Sequence, residues 1–150
     1  MGESVLSLAE VEALARRVHD GQVDKAGRPY AEHLEAVARG TAARGGDPEQ
    51  VAAAWLHDAV EDDALTAEWL AAAPLTERTK ALVLAMTKRP GEEPRDYAGR
   101  LLATPGAVTI KLADLDHNSD PERLAVLDPA TRARLREKYA LMRRLLAVDD

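Results

Sequence analysis

The chain has 150 residues and contains neither cysteine nor phenylalanine. Without cysteine there are no disulfides, no thiolate metal sites and no cysteine nucleophile. Aromatic residues make up only 3% of the sequence, as two Trp and three Tyr. Ile and Val together contribute 12 residues, so a β-rich core built from branched and aromatic side chains is not expected. Basic residues are also in the minority, 20 Lys and Arg against 26 Asp and Glu, for a formal charge of −6 spread along the chain. Such a balance argues against a nucleic-acid-binding face, which needs clustered positive charge. No apolar run approaches the roughly 18 residues of a membrane span. The opening MGESVLSLAEVEALARR lacks the basic start and apolar stretch of a signal peptide, and Leu6 stands where a myristoylation signal needs Ser or Thr. A cytoplasmic protein, with residues 1–150 forming one domain, is the expectation.

What is abundant is helix-forming: 29 Ala and 20 Leu, about a third of the chain, which points to an all-α fold. Ser7-Leu8-Ala9-Glu10 reads as a capping box opening a first helix that stops near Gly21. Residues 21–30, GQVDKAGRPY, read as a loop. A second helix is expected from about Ala31 to Arg44. Asp47-Pro48-Glu49-Gln50 opens a third, which carries AAAWLHDAVED. Thr66 opens a short fourth helix closed by Pro74, and Thr76 to about Thr87 forms a fifth. Residues 95–104 and 106–117 give two more, and Asp128-Pro129 caps a long final helix from Ala130 to Val148. The apolar stripe of that last helix, Leu135, Tyr139, Met142 and Leu146, could close the core or pair with a second subunit in a homo-oligomer.

Polar residues interrupt this pattern where the chain is most apolar. His57 and Asp58 follow directly on Ala52-Ala53-Ala54-Trp55-Leu56, with Glu61 four residues after His57 and Asp62 four after Asp58. On a continuous helix these form two adjacent stripes presenting polar pairs to one place. Asp114 follows Ile110, Leu112 and Ala113, with Asn118 one turn later, and His33 stands near the start of the second helix. Burying such carboxylates together requires a compensating cation. His33, His57, Asp58 and Asp114 would form a mixed N/O set suited to Mn²⁺, Fe²⁺ or Zn²⁺ with positions left for water. The alternation Asp114, Asp116, Asn118, Asp120 is not a calcium loop, because Ser119 and Ala125 occupy the positions that need Gly and Glu.

At these residues the sequence resembles the HD superfamily of metal-dependent phosphohydrolases, particularly the hydrolase domain of RelA/SpoT proteins and stand-alone small alarmone hydrolases. His19-x-Gly21-Gln22-x-x-Lys25-x-Gly27-x-Pro29-Tyr30-x-x-His33 is similar to that family's first motif. Leu56-His57-Asp58-x-Val60-Glu61-Asp62 is similar to the second, Thr87-Lys88 to a short later one, and Lys111-Leu112-Ala113-Asp114-x-x-His117-Asn118 to the last. The resemblance implies an HD-type bundle of about eight helices. It also implies a single divalent ion, usually Mn²⁺, held by His33, His57, Asp58 and Asp114. Glu61 and Asp62 would position or deprotonate the attacking water, and Lys25 and Asn118 would contact a nucleotide substrate. Lys88 and Lys111 are further candidates for that contact, although Lys88, like Arg89 and Arg100, is more readily explained as surface charge. His19 and His117 are read as structural hydrogen-bonders, and Tyr30 as a residue that packs or anchors the loop.

The reaction implied is removal of the 3′-pyrophosphate from (p)ppGpp. No His lies between His57 and Asp114, which favours one metal over the two or three of the cyclic-nucleotide branches. The sequence departs from the alarmone-hydrolase pattern at Asp24, where an Arg is common, and at Leu115, Asp116, Ser119 and Asp120. These departures touch base selectivity more than hydrolysis. They leave open another nucleotide, such as NADPH or an adenine alarmone, and a non-catalytic nucleotide-binding domain is the remaining alternative.

Overall fold

The computed structural model describes residues 4–60 and 64–147. In chain order the helices are α1 (Leu8–Val18), α2 (Tyr30–Ala43), α3 (Pro48–Leu56), α4 (Ala67–Ala72) and α5 (Glu77–Met86). They continue with α6 (Pro94–Ala103), α7 (Ala107–Asn118), α8 (Pro121–Ala125) and α9 (Pro129–Leu146). Among the described residues there is no strand, only an isolated antiparallel bridge between Val23 and Pro29. Among the described residues no helix is long and apolar enough to cross a membrane.

Most helix starts are fixed by a polar side chain that accepts an otherwise orphaned backbone N–H. Ser7 and Glu10 form a reciprocal capping box at α1, with bonds of 2.8 and 3.1 Å. Asp47 and Gln50 do the same at α3. Thr66, Thr76 and Asp128 cap α4, α5 and α9.

Two elements differ from the sequence expectation. The third helix stops at Leu56 rather than carrying on through residues 57–60, and the Glu61 and Asp62 of the expected stretch lie outside the described residues. The His57 ring bonds the Ala54 carbonyl through Nδ1 at 2.6 Å, and Ala59 N–H turns back to Leu56 at 3.0 Å. Residues 57–60 therefore form turns, and the expected pair of helical stripes does not continue through them. The helix α8 was not anticipated. It is a single turn capped by Asp120, too short to show a periodic apolar stripe.

The helix α3 runs through the middle of the molecule, with Ala52, Ala53, Ala54, Trp55 and Leu56 all buried. It packs against α1, α2, α5 and α7, and α2 lies against α7 on another side. Leu34, Val37, Leu82, Leu101, Ile110 and Leu115 complete the centre of the core. At the α2–α7 crossing Gly40 faces Ala113, and a Cβ on Gly40 would lie 3.1 Å from the Ala113 methyl. The absence of that carbon lets α2 and α7 approach closely. The segment from Gly21 to Tyr30 is held against itself by backbone bonds Asp24–Arg28 and Tyr30–Gln22, both 2.9 Å. Gly27 makes its tight turn at φ +82°, in the left-handed region that favours glycine.

Candidate metal centre

Three parts of the chain converge at one end of α3. His33 lies in the first turn of α2, His57 and Asp58 follow immediately on α3, and Asp114 lies in the second half of α7. His33, His57 and Asp114 are buried, and the Asp58 side chain is 17% exposed.

The donor atoms of His33, His57 and Asp58 all lie within 4.8 Å of one another. His57 Nε2 is 3.0 Å from Asp58 Oδ2 and 3.3 Å from Asp114 Oδ1. His33 Nε2 is 2.9 Å from Asp114 Oδ1 and 4.0 Å from Asp58 Oδ2. Ligands about 2.1 Å from a shared ion stand roughly 3.0–3.4 Å apart when adjacent in tetrahedral or octahedral geometry. The separations of 2.9, 3.0 and 3.3 Å are of that size, and the 4.0 Å between His33 and Asp58 is nearer the roughly 4.2 Å of ligands on opposite sides of an octahedral ion.

Hydrogen bonding orients the donors for the same purpose. With His57 Nδ1 directed at the Ala54 carbonyl, the ring proton belongs on Nδ1 and the lone pair on Nε2. That Nε2 is buried and has no hydrogen-bond partner among the described residues. A lone pair facing two carboxylates repels them unless positive charge intervenes, either a proton or a cation. His33 is held through Nδ1 by the Nδ1 of His117 at 2.7 Å, which leaves its Nε2 facing Asp114. Burial lowers the His117 imidazole to about 4, so it is neutral and can accept from His33. The residues present fit a divalent cation.

The electrostatics agree. Burial alone would push Asp114 up, but Lys111 and the two histidines hold it well below the ordinary carboxylate range. Asp58 is lowered in the same way, with burial opposed by His57. Burial would lower His57, yet Asp58 and Asp114 outweigh it and hold the ring well above its ordinary value. All three directions favour positive charge at the cluster.

Its surroundings complete it. The Tyr30 hydroxyl donates to Asp58 Oδ2. The Lys111 ammonium reaches Asp114 Oδ2 at 3.0 Å, and the Asn118 amide donates to Asp114 Oδ1 at 3.2 Å. Asp58, Asp114, His33 and His57 form part of the wall of a cavity of about 400 Å³. One side of that cavity is apolar, with Leu124, Leu127, Leu135 and Met142 from α8, α9 and the segment between them. Among the described lining residues are five cations, Lys25, Lys88, Lys111, Arg123 and Lys138, and three carboxylates, Asp24, Asp58 and Asp114. Among the described lining residues cations thus outnumber carboxylates, in a chain of net charge −6.

The structure brings His33, His57, Asp58 and Asp114 to one centre and places Lys25, Lys88, Lys111 and Asn118 around the same cavity. Lys111 and Asn118 spend hydrogen bonds on Asp114. Glu61 and Asp62, and Asp63 beside them, lie outside the described residues. Arg89 and Arg100 line a separate shallow surface depression, where Arg100 is ion-paired with Glu92 at 2.7 Å. Sequence reasoning missed Arg123 and Lys138 as pocket residues, and it read Tyr30 as packing or anchoring the loop without its bond to Asp58. The motif position of Tyr30, three residues before His33, was the available signal. Arg123 and Lys138 gave none.

A family model described as HD domain matches residues 12–90, which include His33, His57 and Asp58. The chain is also similar to the guanosine-3′,5′-bis(diphosphate) 3′-pyrophosphohydrolase of Haemophilus influenzae, 34% identical over 132 residues. That match covers 81% of this chain and 19% of the relative, so the chain spans about one fifth of the relative's length.

Proposed function

Because this chain belongs to the HD-domain family, matched over residues 12–90, we propose that it is a metal-dependent phosphohydrolase acting on a guanosine alarmone in the cytoplasm. The substrate class follows the relative named above, a guanosine-3′,5′-bis(diphosphate) 3′-pyrophosphohydrolase. The observation that carries the reading is the convergence of His33, His57 and Asp58, with Asp114 Oδ1 at 2.9 and 3.3 Å from the two histidines, around an unpartnered His57 Nε2 in a cavity whose described lining carries five cations.

His33, His57, Asp58 and Asp114 would hold one divalent ion, with Mn²⁺ the favoured metal and Fe²⁺ or Zn²⁺ also suited to the set. Such an ion, when bound, makes water acidic near neutral pH and neutralises charge on phosphoryl oxygens. The chain's own residues do the rest. Tyr30 fixes the Asp58 carboxylate, and Lys111 and Asn118 fix that of Asp114. Glu61 and Asp62 orient the attacking water and take its proton, a contribution typically of about 10²–10⁴-fold. Lys25, Lys88 and Lys138 counter the charge of the polyphosphate. One water is consumed: its oxygen bonds to the phosphorus on the ribose 3′ oxygen, the P–O3′ bond breaks, and the 3′ oxygen takes up a proton. The products are GDP or GTP and pyrophosphate.

A second reading keeps the hydrolase and changes the nucleotide. Asp24, in the loop over the cavity, is turned to Arg123 and offers no cation to a guanine base. That favours testing NADPH and adenine alarmones beside the guanosine ones. The test is a nucleotide panel with Mn²⁺-loaded protein, read by pyrophosphate and orthophosphate release, with metal content measured in parallel. Wild type should release pyrophosphate from guanosine 3′,5′-bis(diphosphate), and Asp58→Ala should lose both metal and turnover. Orthophosphate release from other nucleotides alone would move the assignment to the second reading. Nucleotide binding without cleavage would leave only a binding domain.

A further inference from the structure

Arg123, on α8, is the least explained cation of the cavity. Its side chain is 19% exposed, and its Nη1 donates to Asp24 Oδ2 at 2.6 Å. Asp24 is itself only 6% exposed and is fixed by its own loop, its Oδ1 accepting from the Ala26 and Arg28 N–H groups at 2.9 and 3.0 Å. A guanidinium has five N–H donors. Arg123 commits one to Asp24, its Nε is buried without a partner, and it makes no other side-chain hydrogen bond among the described residues. Mostly buried donors left uncommitted are costly and call for an acceptor. Arg123 is itself one of the residues that line the cavity, and it bonds none of the four cluster side chains. A planar fork already anchored at one corner suits phosphoryl oxygens.

We propose that Arg123 is a specificity-determining residue that binds the uncleaved, 5′-phosphate end of the nucleotide, and that Asp24 is the positioning residue holding it there. This rests on the reading that the cavity takes a nucleotide with phosphates on both the 3′ and 5′ oxygens. Remote binding of this kind selects bis-phosphorylated substrates over those lacking the second group.

The test compares Mn²⁺-loaded wild type, Arg123→Ala and Asp24→Ala on guanosine 3′,5′-bis(diphosphate) and on guanosine 3′-diphosphate, with Tm measured for each. Both variants lose the same ion pair and both should lower Tm. Arg123→Ala should raise KM about tenfold or more on the bis(diphosphate) but less than about twofold on the 3′-diphosphate. Asp24→Ala should raise KM on the bis(diphosphate) by clearly less than Arg123→Ala. Equal KM changes on the two substrates, or equal changes in the two variants, would overturn the proposal, since a purely structural ion pair acts symmetrically. If Arg123→Ala does not fold, the double variant Asp24→Asn/Arg123→Met, which removes both charges, is read against Asp24→Asn with the same expectations. Calorimetric binding of GDP, which needs no turnover, should weaken about tenfold in Arg123→Ala; unchanged GDP binding also overturns the proposal. A wild type that cleaves neither guanosine substrate while Arg123→Ala loses GDP affinity would remove the hydrolase reading and leave the role of Arg123 standing.

Discussion

Replacing Lys111 with Met separates a residue that supports the cluster from one that merely touches substrate. The Lys111 ammonium lies 3.0 Å from Asp114 Oδ2, with the two side chains 15% and 7% exposed. The other oxygen, Oδ1, is the one served by His33 and Asn118, so Lys111 alone bonds Oδ2 among the described residues. Burial pulls this ammonium down, yet Asp114 outweighs the effect and raises it above the ordinary lysine value. Removing one partner of a buried ion pair costs about 3–5 kcal/mol, because the remaining charge is left unpaired. The partial exposure of Lys111 places the expectation at the lower end, about 3 kcal/mol. For a domain of this size that is roughly 6–12 °C in Tm. Met keeps most of the stem's packing, so the loss reports charge rather than a cavity. Thermal unfolding of Lys111→Met and of Lys111→Met/Asp114→Asn measures it, and the double variant should be the more stable of the two. Added Mn²⁺ should restore a larger increment of Tm to Lys111→Met than it adds to wild type, since the cation then answers an unopposed carboxylate. A Tm within about 2 °C of wild type, with only KM altered, would refute the argument and make Lys111 a substrate contact.

Tyr30→Phe removes the hydroxyl that donates to Asp58 and nothing else, so it should weaken Mn²⁺ binding about 10–100-fold, measured by metal titration, with the fold intact. Gly40→Val puts side-chain carbon where a Cβ already meets the Ala113 methyl at 3.1 Å, and should cost about 1–3 kcal/mol in denaturant unfolding while loosening metal binding. The Arg100 guanidinium, bonded to Glu92 at 2.7 and 2.8 Å, holds that carboxyl down at about 2 from an ordinary 4.5. A depressed carboxyl stabilises the fold above its unfolded value, and that contribution is lost as pH falls from about 4.5 through about 2. Acid titration of stability should therefore show Glu92→Gln less steep than wild type across that window. Equal slopes would count against the ion pair.

How much of this was legible in the sequence depended on how local each cause was. Ser7, Asp47, Thr66, Thr76 and Asp128 were readable as helix starts because a small polar residue before an apolar run has one local role, and each accepts from the helix it opens. The end of α3 was not, because the stop is made by the His57 ring competing for the Ala54 carbonyl, and no periodicity records that. The four cluster residues stood out as polar groups in apolar surroundings, and their motif spacing made them a set. Their supports were harder to see. Asn118 stands one turn after Asp114 on α7 and bonds it locally, but only the packing of α2 against α7 shows that His117 reaches His33. Arg123 and Lys138 come from α8 and α9, and tertiary structure alone carries them to a cavity whose other wall begins near Gln22.

The same geometry explains why the centre is assembled from three separate elements. Four polar side chains on one helix could all turn to solvent, whereas His33, His57–Asp58 and Asp114 approach one another only when α2 and α7 are both docked beside α3. Each docking buries apolar surface, through Leu34 and Val37 on α2 and Ile110 and Leu115 on α7, and that burial offsets the desolvation of the polar groups. The close Gly40–Ala113 contact lies on the same two helices as His33 and Asp114. A change in helix spacing there is a change in the 2.9 Å separation of His33 Nε2 and Asp114 Oδ1. Core packing and metal affinity are therefore one property of this fold, and substitutions that move α2 relative to α7 should be felt at the cluster before they unfold the chain.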